Sequence, residues 1–283
     1  MGSFTGWAYS KKFEEYKNEL SSSPECSDSK CIIQINGILM QLDLNSNQDL
    51  EFGHLWKHGT VYEPEMYPFI KNVLSECNNF ADVGANSGYY TIMASKLIQG
   101  EVYAFEPNEY SYERLVNNIS LNKLTNVRPF KIGLSDRRGS AIMYDSPSGD
   151  GTNTMIKIPK SPKSYSIKVD TLDNVLKDEK VDVIKVDVEG YEEEVLKGAI
   201  HHLDSVKFIF FELNRDILLY KKKNPYTLLQ LLWGKGFSIY WMTNGPRLVL
   251  VRKLKDIEDI GTNLMAVKEL PNNFKRYLIQ KTL

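Results

Sequence analysis

The chain has 283 residues, is 42% hydrophobic and 25% charged, and carries a formal net charge of -1. That length buries a sizeable core as one large or two small domains, and the near cancellation of charge offers nucleic acid no overall field. No apolar run approaches the roughly eighteen residues that argue for a membrane span.

The start lacks a basic-then-apolar leader, and Gly6 stands where an N-myristoylation motif wants Ser or Thr. Cys26, Cys31 and Cys77 are too few and too irregular for a disulfide framework or a zinc site. A cytoplasmic protein with reduced thiols is therefore expected.

Phe13 to Leu20 predicts a short amphipathic helix, and Ser21 to Ser29 a Ser-rich linker. Ile32–Ile35 and Ile38–Leu44 flank Asn36-Gly37, a pair suited to the two positive φ angles of a tight hairpin turn. Residues 1–60 thus read as a helix and hairpin cap. His54 and His58 bracket Leu55-Trp56-Lys57, and either suits a base carried on a lid or a packing histidine.

Strands are predicted at 80–83, 101–105, 127–132, 181–186 and 206–211, mostly separated by helical patterns. That alternation is the signature of an α/β, doubly wound, mostly parallel sheet. Residues 140–169, rich in Gly, Pro, Ser and Lys, read as an insertion, with Asp150-Gly151-Thr152-Asn153-Thr154 as a polar turn. The segments 237–242 and 247–251, split by Thr243-Asn244-Gly245-Pro246, predict an antiparallel edge pair. Residues 61–253 form the main domain in this reading, and 254–283 a C-terminal extension. Lys221-Lys222-Lys223 reads as a solvated loop.

Chemistry concentrates at the strand ends, where open α/β sheets bind ligands. Phe80-Ala81-Asp82-Val83-Gly84-Ala85-Asn86-Ser87-Gly88 runs from a strand through spaced glycines into a helix. The spacing is D-x-G-x-x-x-G, not the G-x-G-x-x-G of a pyrophosphate cradle, and its Asp suits a cofactor with a cationic end. Glu106 follows at the offset of a ribose-binding acid, with Pro107 ending its strand before Asn108. The third strand leads to Ser135 and Asp136, the fourth to Lys185, Asp187 and Glu189, and the fifth to Glu212 and Asn214.

Four ordered stretches, D-V-G-A-N-S-G-Y-Y-T, A-F-E-P, I-K-V-D-V-E-G-Y-E and F-F-E-L-N, make the chain resemble the FkbM family of S-adenosylmethionine-dependent methyltransferases. Gly59 to Glu65 resembles that family's entry segment, and the resemblance covers about residues 60–250. It implies a seven-stranded methyltransferase sheet with an antiparallel edge strand, and S-adenosylmethionine as cofactor with S-adenosylhomocysteine as product. Cofactor binding falls to Glu65, Asp82, Gly84, Ala85, Asn86, Gly88, Tyr89, Glu106, Pro107, Asn108, Ser135, Asp136 and Asp187. Catalysis falls to Asp187, Lys185 and Glu212, and acceptor binding to His58, Asn153, Glu189 and Asn214.

The implied acceptor is a hydroxyl of a sugar, a glycan or a polyketide-like molecule, with no nucleic acid partner. An alcohol is a poor nucleophile, so a carboxylate near its proton assists, and Asp187 is the first choice. Asp187, Glu212 and Asn214 also make an all-oxygen set suited to Mg²⁺, but a divalent cation is not favoured and no metal ligand is assigned. The acidic run Glu189 to Glu194 keeps N-methylation of an amine or protein side chain as an alternative. A non-catalytic nucleotide-binding module is the second alternative.

Overall fold

The computed structural model describes residues 4–23, 25–27, 29–145, 153–157, 163–213, 224, 226–243, 245–253, 256 and 263–279. The N-terminal part comprises α1 (Phe4–Ser21), β1 (Cys26–Ser27), β2 (Lys30–Ile35), β3 (Ile38–Asp43) and α2 (Asn47–Lys57). Side chains of β2 alternate between exposed and buried, and Asn36 and Gly37 take φ values of 51° and 81° in the turn to β3. Those two positive φ angles suit the right-handed twist of the flanking strands.

Strand β3 would expose an unpaired edge, which is costly when buried. Its backbone amides at Leu39 and Gln41 instead donate to the side-chain oxygens of Asn122 and Asn118, at 2.9 and 2.8 Å. A Cβ built on Gly53 of α2 would lie 2.4 Å from a Leu20 methyl, so the missing side chain lets α1 pack closely there.

One expectation fails in this region. Cys26 and Cys31 oppose each other across β1 and β2 and are joined as a disulfide. Strand pairing, invisible in the spacing alone, brings the sulfurs together. Bonds of this kind persist mainly in oxidising compartments, so the cysteines no longer argue for the cytoplasm. Cys77 is a buried free thiol, pushed up to about 11 by burial.

The main domain follows as α3 (Tyr67–Leu74), β4 (Phe80–Val83), α4 (Tyr89–Leu97), β5 (Val102–Phe105), α5 (Glu109–Leu121), β6 (Val127–Phe130), β7 (Gly133–Leu134), β8 (Gly139–Tyr144), β9 (Ser164–Asp170), α6 (Leu172–Leu176), β10 (Val183–Val186), α7 (Glu192–Lys197), β11 (Phe208–Glu212), α8 (Tyr226–Gly234), β12 (Ser238–Thr243), β13 (Arg247–Val251) and β14 (Asn263–Val267). Every residue of β4, β5 and β10 is buried, as expected where helices cover both faces of a parallel sheet.

The large sheet has eight strands in the order β13-β12-β14-β11-β10-β4-β5-β6. The run from β11 to β6 is parallel, whereas β14 pairs antiparallel with both β11 and β12. The expected edge hairpin is present as β12 and β13. The count differs from seven because residues 263–267, expected in an extension, insert as β14 between β11 and β12. All four apolar positions of β14, Leu264 to Val267, are buried, which is why it occupies the sheet interior.

Apolar layers lie on both faces. Phe80 of β4 joins the layer that contains Phe13, Ile33, Phe69 and Ile92, so the N-terminal helix and hairpin share a core with the main domain. Ala81 and Val83 join the opposite layer with Phe105, Leu196, Ile209 and Leu229. The predicted insertion contributes the antiparallel pair β8 and β9, which with β7 makes a separate three-stranded sheet. Asp150, Gly151 and Thr152 lie outside the described residues.

Candidate active site

The turn after β4 is held by backbone geometry. Gly84 has φ 82°, and its amide and that of Ala85 both donate to the Phe105 carbonyl at 3.0 Å. A Cβ on Gly84 would fall 1.8 Å from the Asp187 carbonyl oxygen, so β4 and the loop after β10 can approach this closely only over a glycine. Gly88, at φ 95°, starts α4.

Asp82 is buried, and Thr91 Oγ1 donates to its Oδ2 at 2.6 Å. Its Oδ1 and the Asn86 Oδ1 are buried polar atoms lacking a hydrogen-bond partner in the described structure. Burial raises the Asp82 carboxyl above the ordinary range, against the pull of Lys185. Unsatisfied acceptors of this kind fit a loop built to receive a donor-bearing, cationic ligand.

Glu106 ends β5 inside the same cleft. The Asn86 amide donates to its Oε2 at 2.9 Å, and the Asn108 amide to its Oε1 at 2.8 Å. Each carboxylate oxygen retains a second lone pair, so a diol can still be accepted. Burial pushes this carboxyl up to about 7, against the two amide bonds. Asn108 caps α5 by accepting from the Ser111 amide at 2.9 Å, and its Nδ2 donates to the Tyr165 hydroxyl.

Lys185 stands in register with Asp82 across β10 and β4. Its Nζ donates to Asp187 Oδ2 at 2.9 Å and lies 4.8 Å from the Tyr90 ring centroid. Burial disfavours the ammonium, but Asp187, Glu63 and Asp82 outweigh it and hold the lysine protonated. Glu63 accepts from the Tyr90 hydroxyl at 2.6 Å and from Asn263 of β14 at 3.3 Å. Burial raises its carboxyl despite the nearby Lys185. Glu192 accepts from the amides of Val188 and Gly190 at 3.2 and 3.0 Å, fixing the loop that carries Asp187 and Glu189.

Several of these groups line a cavity of about 220 Å³, among them Asp82, Gly84, Ala85, Asn86, Tyr89, Glu106 and Pro107. Lys185, Asp187, Glu189 and Asn153 line it as well. Glu212 adjoins a second recess shared with Glu63, Lys185, Asp187 and Asn263. Carboxylate oxygens of Asp187, Glu189 and Glu212 all lie within 4.8 Å of one another, so Glu189 stands where the sequence reading placed Asn214. Asn214 lies outside the described residues.

Six predicted site residues fall elsewhere, among them Gly88, which caps the start of α4. Ser135 and Asp136 are not on the cavity wall, where Gly133 and Leu134 stand instead. The Ser135 amide is spent on the Asp170 carbonyl at 2.9 Å, and Asp136 pairs with Arg137 at 3.2 Å. Glu65 accepts from Asn263 at 2.8 Å, and Asn108 acts through Glu106 rather than lining the cavity. His58 turns toward α1, where its Nε2 lies 3.2 Å from Glu19.

Sequence reasoning missed Glu63, Tyr62, Tyr90, Glu51 and Phe52. Glu63 belongs to the entry segment that drew attention to Glu65, but it takes φ 47° in an irregular turn that no periodicity reveals.

The sheet order, with its one antiparallel interior strand and its glycine turn after β4, defines the class I methyltransferase fold. Residues 82–239, more than half of the chain, match the model of the methyltransferase FkbM domain, and the chain belongs to that family. It is 35% identical over 140 residues to hexuronic acid methyltransferase AglP of Haloferax volcanii, covering 48% of this chain and 56% of AglP. Methyltransferase sdnD of Sordaria araneosa is 32% identical over 153 residues, covering 42% of this chain and 59% of sdnD. The 2-O-methyltransferase NoeI of Sinorhizobium fredii is 28% identical over 167 residues, covering 51% of this chain and 66% of NoeI. The matches thus span a little over half the length of the first two relatives. Among the described residues, no helix is long and apolar enough to cross a membrane.

Proposed function

We propose that this protein transfers the methyl group of S-adenosylmethionine to a hydroxyl of a sugar or glycan. The observation that carries the reading is the convergence of Glu106, Asp82 and the Lys185–Asp187 pair on one cavity at the ends of three neighbouring parallel strands. The residues fit the cofactor: Glu106 suits the ribose diol, and Asp82 with the unsatisfied Asn86 oxygen suits the cationic amino-acid end. When bound, the sulfonium supplies an electrophilic methyl group and a neutral thioether leaving group.

The chain itself then has three tasks. Glu106 and the Gly84 turn orient the cofactor, while Tyr62, Tyr90 and Phe52 wall the cleft against water. Asp187 takes the acceptor's hydroxyl proton as the new oxygen–carbon bond forms and the carbon–sulfur bond breaks. Lys185 holds that carboxylate in place at 2.9 Å. Glu189 and Glu212, beside Asp187, suit neighbouring hydroxyls of a polyol as hydrogen-bond acceptors.

Oxygen is favoured over nitrogen because, of the acidic run, Glu189 lines the cavity while Glu192, Glu193 and Glu194 do not. Glu192 is buried on its own loop, and Glu193 bonds Lys197 and Thr227 at 2.5 and 2.8 Å. A sugar acceptor gains support from the hexuronic acid methyltransferase and the 2-O-methyltransferase among the relatives. The test is transfer of labelled methyl to a panel of glycans, amines and peptides. Label in a product stable to mild alkali, as an ether is, supports the reading. Label that alkali releases, as from a carboxyl ester, or that is found on nitrogen, refutes it.

A further inference from the structure

On the face where α1 meets α2, away from the cavity, three ligand-type side chains converge. Glu19 comes from the end of α1, His54 from α2, and His58 caps α2 one turn later. His54 Nδ1 lies 3.1 Å from Glu19 Oε2, and His58 Nε2 lies 3.2 Å from Glu19 Oε1. One donor atom from each of the three residues lies within 4.8 Å of the other two. We infer that Glu19, His54 and His58 form a binding site for a divalent ion of the zinc type, which clamps α1 onto α2.

The geometry is close to what such an ion needs. Bonds of about 2.0–2.1 Å at a tetrahedral zinc set neighbouring ligand atoms about 3.3 Å apart. The two histidine-to-carboxylate separations, one to each Glu19 oxygen, are near that length, so closing the site requires the rings to turn from these contacts toward a common centre. Two imidazoles and one carboxylate select a borderline ion over Mg²⁺ or Ca²⁺, which prefer all-oxygen sets.

The surroundings hold the ligands ready. The Tyr16 ring stacks on His54 at 3.8 Å between centroids with planes 13° apart, which fixes the imidazole. Lys57 Nζ is 3.7 Å from Glu19 Oε1 but bonds the Glu19 backbone carbonyl at 2.9 Å, so it can stay in place while an ion takes the carboxylate. Side-chain exposures of 28% for His54, 53% for His58 and 26% for Glu19 leave an ion a way in and water a fourth position.

A clamp here bears on the cleft, because Glu51 and Phe52, one turn earlier on α2, line it. Lys12 of α1 also pairs with Glu51 at 3.3 Å. Fixing α1 against α2 therefore steadies one wall of the cavity.

The experiment is titration of the full chain, freed of metal and without reductant, with Zn²⁺ alone, followed by calorimetry and thermal melting. One equivalent is expected to bind and to raise the melting temperature. Cobalt(II) in its place should show the intense visible bands of a four-coordinate ion with nitrogen ligands. His54→Gln combined with His58→Gln should weaken binding at least tenfold and abolish both the melting shift and the cobalt bands. Should that pair fail to fold, as judged by circular dichroism, His58→Gln alone serves, since His58 is the most exposed of the three. No binding to the native chain, or binding unchanged in the variants because the ion sits at Asp187, Glu189 and Glu212, overturns the assignment.

Discussion

Gly84 and Asp187 are locked together: the carbonyl oxygen of Asp187 occupies the space where a Cβ on Gly84 would sit, 1.8 Å away. Further, the Asp187 amide donates to the Val83 carbonyl at 2.9 Å. The cofactor turn and the proposed base are thus one rigid unit, and a change in either is felt by the other.

Gly84→Ala should accordingly be severe. It combines a φ of 82° that an L side chain rarely adopts with a collision against backbone that has no rotamer to escape into. A loss of more than about 2 kcal/mol is expected, measured by chemical denaturation, together with loss of S-adenosylhomocysteine binding. A stable, cofactor-binding Ala variant would show that the two loops are free to separate.

Asp187→Asn removes a charge and keeps the shape. Turnover should fall by about 10²–10⁴, the usual contribution of a positioned base, while affinity for S-adenosylhomocysteine changes little. Parallel loss of both in kinetics and calorimetry would move Asp187 from the acceptor to the cofactor.

Cofactor affinity should depend on pH through Glu106. Without ligand its carboxyl holds a proton below about 7, because burial outweighs the two amide bonds. A ribose diol donates to the ionised form, so binding expels that proton. Affinity should be constant above about pH 7 and weaken below it by up to about tenfold per pH unit. Calorimetry in buffers of different ionisation enthalpy would reveal the released proton.

The same raised values act on stability with the opposite sense. Glu106 and Glu192 both rise to about 7 from an ordinary 4.5. Their folded-state protonation favours folding fully below the ordinary value, and that contribution disappears as pH rises through 7. The ligand-free protein should therefore melt higher at pH 6 than at pH 8, and Glu106→Gln should reduce the difference while the share from Glu192 remains.

Methyl transfer should survive chelation. Lys185 already balances the Asp187 carboxylate at 2.9 Å, so no ion is needed to hold that charge. Chelator should lower the melting temperature through the Glu19, His54 and His58 site while leaving turnover in place. Activity that vanishes with chelator and returns with Mg²⁺ would make Asp187, Glu189 and Glu212 metal ligands and replace the direct-base mechanism.

Much of the fold was legible because four of the five parallel strands, β4, β5, β10 and β11, are short apolar runs with an acid at or just past their ends. Asp82, Glu106 and Asp187 all lie where the strand ends predicted. The glycine turn was equally clear, since its spacing reports backbone geometry directly. Long-range pairing was not legible. Val267 and Ser238 become neighbours only through sheet order, and Leu264 to Val267 carry no periodicity that separates an interior strand from a tail. Glu63 and Asn263 meet from positions 200 residues apart. Ser135 looked like a contact because it follows a strand, yet the small β7–β9 sheet consumes its amide.

In the proposed S-adenosylmethionine site Glu106 holds the ribose, and isothermal titration with S-adenosylhomocysteine reads that contact without any acceptor. The native chain should bind it and ignore NAD, and Glu106→Ala should lose about 1–3 kcal/mol, the scale of charge-assisted hydrogen bonds in a buried site. No binding to the native chain, a preference for NAD, or an unchanged affinity in Glu106→Ala would rule out Glu106 as the ribose acid of such a site.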